Sequence, residues 1–69
     1  MMLLSIQLAL EADGRWIAEV PELPGVMVYA SSSEQATAKA KSLALRVIAD
    51  QIEQGEAAAD LNGVTFAAA

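Results

Sequence analysis

The sequence predicts an α+β fold: a single domain over residues 1–69 in the order β-β-β-α(-β), with antiparallel strands ahead of one long helix. Three observations carry this. Leu4 to Leu10 alternate with a two-residue period. A Pro-Glu-Leu-Pro-Gly break then separates two further extended runs. From residue 33 an Ala- and Leu-rich stretch runs about twenty residues without Gly or Pro.

The opening run places Leu4, Ile6, Leu8 and Leu10 on one side and Ser5, Gln7 and Ala9 on the other, the two-residue period of a half-buried strand. Glu11-Ala12-Asp13-Gly14 follows as a turn, with Gly14 free to take positive φ. Arg15–Val20 resumes the extended pattern, Trp16, Ala18 and Val20 facing one way and Arg15, Ile17 and Glu19 the other. The two runs form an antiparallel hairpin. Pro21 and Pro24 lack amide donors and keep Val20 and Leu23 extended, so the ladder breaks there. A third strand follows at Val26–Ala30.

Ser31-Ser32-Ser33 marks the switch to helix. Ser32 with Gln35 fits a capping box, and Ser31 with Glu34 is the alternative register. The helix is expected from about Ser33 to Gln54, ended by Gly55. On a 100° wheel, Ala36, Ala40, Leu43, Ala44, Val47 and Ile48 form the core face. Lys39, Ser42, Arg46, Asp50 and Glu53 form a polar stripe expected to be laced by salt bridges. Ala38, Leu45, Ala49 and Ile52 extend the apolar arc beyond what one sheet needs. In residues 56–69, Asn62-Gly63 signals a turn and Val64-Thr65-Phe66 a short edge strand. The last alanines are expected to fray.

A chain of 69 residues has a marginal core unless something helps it. Cysteine and histidine are both absent, which removes disulfides and the common zinc sites. Oligomerisation is the remaining helper, a dimer or a tetramer, with Leu45, Ala49 and Ile52 as its expected interface. Four basic residues against nine acidic ones leave a net charge of −5 and a pI near 4.3. Nucleic-acid binders need a basic footprint, so direct nucleic-acid binding is not expected; a basic partner is. The opening MMLLSIQLAL lacks a basic start and is too short to span a membrane, so a cytoplasmic protein without membrane association is expected.

No catalytic centre is expected. Without His or Cys the familiar nucleophile–base pairs are missing, and helix capping accounts for Ser31–Ser33 better than nucleophilic chemistry with Lys39 as base. Asp13, Glu19, Glu22, Asp50 and Glu53 fall at a turn, a strand face, a proline loop and a solvated helix stripe. No metal or cofactor is therefore expected. Trp16 is expected as a core anchor, and Tyr29 at either the core rim or an interface.

Asp13-Gly14-Arg15-Trp16-Ile17-Ala18-Glu19-Val20-Pro21-Glu22-Leu23-Pro24-Gly25-Val26 resembles the HicB-like antitoxin family. Glu34-Gln35-Ala36 is similar to that family's helix opening, and Ile52-Glu53-Gln54-Gly55-Glu56 to its helix ending, so the resemblance covers about residues 3–56. It implies a β-β-β-α-β, partial ribonuclease H-like fold without catalytic carboxylates. It further implies a protein that binds and neutralises a small basic RNA-cleaving toxin, HicA. Fuller members carry a C-terminal DNA-binding segment. Residues 56–69 contain no Lys or Arg, and the resemblance is therefore to a short form. Partner contacts are expected at Glu19, Glu22, Leu23 and Tyr29, with structural shaping of the strand crossover as the competing role of the Pro21–Gly25 loop. An orphan homo-oligomeric binding module is the alternative function.

Overall fold

The computed structural model describes residues 2–55 and 63–68. Strands β1 (Met2–Leu10), β2 (Trp16–Glu19) and β3 (Met27–Ala30) precede helix α1 (Ser33–Glu53), and β4 (Val64–Ala68) follows. One four-stranded sheet has the order β3-β2-β1-β4.

The expected antiparallel sheet is correct for β1, β2 and β3 but not for β4, which runs parallel to β1. Two reversals leave β3 pointing along β1, and the helix then carries the chain back. The next strand therefore enters in the direction of β1, the usual geometry when a helix joins parallel strands. β4 is also longer than Val64–Phe66. Ala67 and Ala68, expected to fray, pair with Ser5 and Ile6. Only part of the Asn62–Gly63 turn lies within the described residues.

The turns behave as their residues require. Gly14 takes φ +89°, and Gly55 φ +72° just past the helix end. Ser32 caps α1, its Oγ accepting the Gln35 N–H at 3.1 Å. The capping box closes by only half, because the Gln35 side chain accepts from Ser31 Oγ instead, at 2.6 Å.

Leu4, Ile6, Ala18, Val20, Leu23, Val26, Ala30, Ala36, Ala40, Ala44 and Ile48 form the core. Trp16, Leu43 and Val47 pack against it, half-buried. Ala36, Ala40 and Ala44, one per turn of α1, are wholly buried, so the first turns of the helix sit close to the sheet on methyl groups, with Ile48 filling the next turn. Two expectations fail. The polar stripe of α1 is not salt-bridged: among the described residues the ion pair is Asp13–Arg15, at 2.7 Å. Leu8 and Leu10 share the side of Leu4 and Ile6 yet are 42% and 59% exposed. α1 lies mainly over β2 and β3, and β4 flanks β1 only as far as Ile6, so the second half of β1 is covered by neither.

Candidate interaction surfaces

The register decides what the sheet shows on the side away from α1. Strand alternation and pairing bring Gln7, Glu19 and Met27 into one row and Ala9, Ile17 and Tyr29 into the next, with Leu3 further along β1. Among the described residues no element covers this face. Leu3, Met27 and Tyr29 stay exposed on it and Ile17 half-buried. Met27, Ile17 and Leu3 were not singled out from the sequence, although the odd-numbered positions of each strand already carried the signal.

Tyr29 is fixed there by a short chain of contacts. Asp13 accepts the Arg15 N–H at 3.0 Å and Arg15 Nε–H at 2.7 Å, and the guanidinium sits 4.4 Å from the Tyr29 ring centre. The backbone bond from Arg15, followed by its side-chain bond, holds the Asp13 carboxyl below its ordinary value. Glu19 lies at the end of β2, exposed on the same face.

The proline loop is held in a defined shape by its own hydrogen bonds. Val20 N–H donates to Val26 O at 3.0 Å, Leu23 N–H to Val20 O at 3.0 Å, and Val26 N–H to Leu23 O at 3.1 Å, closing a compact turn. Glu22 reaches back across it. Its carboxylate accepts the Ser5 N–H at 2.9 Å and the Ser5 hydroxyl at 2.7 Å. Those bonds, the backbone one first, hold the Glu22 carboxyl below its ordinary value. The β1–β2 register would set Ser5 opposite Pro21, where the ladder has ended, and the Glu22 side chain replaces the missing backbone acceptor. Leu23, expected at a partner contact, is instead a core residue at 6% exposure: the loop folds it under the sheet end to cover apolar neighbours.

On α1, Leu45, Ala49 and Ile52 are exposed. Between α1 and β4, Ile6, Thr37, Lys41 and Phe66 line a cleft of about 160 Å³, the Lys41 ammonium lying 5.8 Å from the Phe66 ring centre. Among the described residues the core contains no buried polar side chain, and no cluster of His, Cys, Asp or Glu is placed to hold a metal ion. None of their helices is long and apolar enough to cross a membrane. The structure thus brings Glu19 and Tyr29 to one open sheet face, ties Glu22 to Ser5, buries Leu23 and leaves Leu45, Ala49 and Ile52 outward on the helix. No family model, curated protein or solved structure matches the chain.

Proposed function

We propose that this chain is a non-catalytic, antitoxin-like protein that binds and neutralises a small basic RNA-cleaving toxin of the HicA type by occlusion. The observation that carries the reading is the open sheet face, where apolar Met27, Ile17 and Tyr29 lie beside Glu19. Anchor residues next to acidic groups suit a basic partner: the apolar groups supply burial, and the charge supplies steering. The overall charge of −5 has the sign for that attraction. The family resemblance of Asp13–Val26 adds to it, and a small mixed sheet with one helix is compatible with the partial ribonuclease H-like arrangement that the resemblance implies.

The test is co-expression with the product of the neighbouring reading frame, where that is a small basic protein, reading growth and RNA cleavage. Wild type is expected to silence the neighbour, and Glu19→Lys with Tyr29→Ala to lose most of that effect. Glu22 is left intact because its loss would free Ser5. A wild type that neither binds nor silences the neighbour overturns the antitoxin reading.

Exposed Leu45, Ala49 and Ile52 favour a second reading, an orphan homo-oligomeric binding module, a dimer or tetramer with no toxin. Under it, Leu45→Glu shifts the mass seen by light scattering toward monomer.

A further inference from the structure

We propose that the outer edge of β1 at Leu8–Leu10 pairs antiparallel with the same edge of a second copy, joining two sheets into one. This inference does not rest on the toxin reading, and it places self-association on a different surface from Leu45.

The hydrogen-bond parity of the sheet identifies the groups. Glu11 N–H donates to Arg15 O at 2.8 Å, so odd-numbered residues at this end of β1 turn their backbone groups toward β2. Even-numbered ones turn the other way, as Met2 shows by donating to Gly63 O at 2.8 Å on the β4 side. The described part of β4 flanks β1 only from Met2 to Ile6. Leu8 and Leu10 therefore aim both N–H and C=O outward, where no strand lies among the described residues.

The sheet's other edge is treated differently. Val20 donates to Val26 O at 3.0 Å, which turns Met27 and Tyr29 outward on β3. There Met27 N–H is taken by Gly25 O at 3.1 Å, and Lys39 Nζ donates to Tyr29 O at 3.4 Å. An edge-guarding lysine is a common way of blocking strand addition. The Leu8–Leu10 edge has no lysine, proline or charge, and its side chains are those of Leu8 and Leu10, largely exposed.

A second copy suits this edge better than a basic partner. Gln7-Leu8-Ala9-Leu10 is uncharged, so it offers a cation nothing and spares two chains of −5 any repulsion at the seam. With a two-fold axis at Ala9, Leu8 of each copy faces Leu10 of the other. Each such pair exchanges both backbone bonds, and the four leucines meet on the helix side beside Trp16, the partner of Leu10 in the β2 register. Gln7 then falls opposite Glu11 of the other copy, and small Ala9 opposite itself.

The test combines mass in solution with exchange at single amides. Multi-angle light scattering of wild type should give twice 7.2 kDa. Leu10→Pro should give the monomer with unchanged circular dichroism, because that amide faces no strand among the described residues, and Leu10→Lys should do the same. Hydrogen exchange on wild type avoids any folding defect of a variant: the Leu8 and Leu10 amides should slow about tenfold or more as concentration rises through the dimerisation range. A monomeric wild type, or an oligomer whose Leu8 and Leu10 amides exchange freely, overturns the proposal. So does a dimer that survives both Leu10 variants, whether or not Leu45→Glu breaks it.

Discussion

Replacing Ala40 by Leu tests how the helix is seated. Ala36, Ala40 and Ala44 are each 0% exposed and stand one above another on α1. Their methyl groups set how closely the helix axis approaches β2 and β3. Leucine at position 40 adds three carbons where no surface is open, so either the helix lifts or its neighbours leave their rotamers. Overpacking of this kind costs about 1–3 kcal/mol. Helix propensity offsets little, since Leu ranks just below Ala. A chain of this length has a total stability of roughly 3–10 kcal/mol at about 0.05–0.15 kcal/mol per residue, so the loss is a large fraction of the whole. With a urea slope of about 1 kcal/mol/M for so small a protein, the midpoint should fall by about 1–3 M. Ala38→Leu, exposed on α1 and outside the Leu45–Ile52 surface, is the control and should stay within about 0.5 kcal/mol of wild type. If Ala40→Leu unfolds no earlier than Ala38→Leu, α1 does not rest on its alanine face and the packing described above is wrong.

Acid should weaken the clamp between Glu22 and Ser5. The folded protein holds the Glu22 carboxyl below its ordinary value, so its contribution is full above the unfolded pKa and is lost as pH falls through the folded one. Thermal melts of wild type should lose stability below about pH 4, and Glu22→Gln should be less stable than wild type at pH 7 with a shallower acid limb. Equal acid limbs would show that the clamp does not hold in solution. Asp13, lowered by its bonds from Arg15, adds a contribution of the same sign, which Asp13→Asn should remove. Duplex DNA should show no sequence-selective gel shift with this chain alone at physiological salt, given its charge of −5; a tight, selective shift would contradict that expectation.

Periodicity made most of the elements legible. The strict alternation of Leu4–Leu10, the serine cap with Gly55 behind the helix, and the i, i+4 alanines each encode a local geometry that a one-dimensional pattern can carry. Apart from the salt bridges expected along the α1 stripe, the misses are non-local. The direction of β4 follows from the topology of the whole chain, and Val64–Ala68 alone does not contain it. Leu23 sits between two prolines in a segment read as a partner contact, and only the three-dimensional turn shows it folded under the sheet. The same holds for Leu8 and Leu10. Their alternation places them correctly on the helix side, but the reach of α1 and β4 decides whether that side is covered there. Glu22 shows a further limit: its charge invites a partner reading, while its bonds to Ser5 depend on a register seventeen residues away.

The two proposed contacts use different parts of one sheet, and that has a thermodynamic consequence. A two-fold axis through the seam at Ala9, perpendicular to the sheet, puts both helices on one side and both open faces on the other. Tyr29 lies on β3, two strands from the seam, or about 10 Å at the usual strand spacing. Glu19 ends β2, one strand away, and neither residue contributes a backbone or side-chain group to the pairing of Leu8 with Leu10. Partner capture and self-association should therefore be uncoupled. The affinity for the proposed basic partner should agree within about twofold between wild type and Leu10→Lys, a coupling of no more than about 0.4 kcal/mol. Saturating that partner should likewise leave the self-association constant unchanged. A Leu10→Lys chain that is folded and monomeric yet no longer captures the partner would mean that the proposed partner surface needs both copies. The open face of a single subunit would then be an incomplete site, and the contact would have to be sought across the seam.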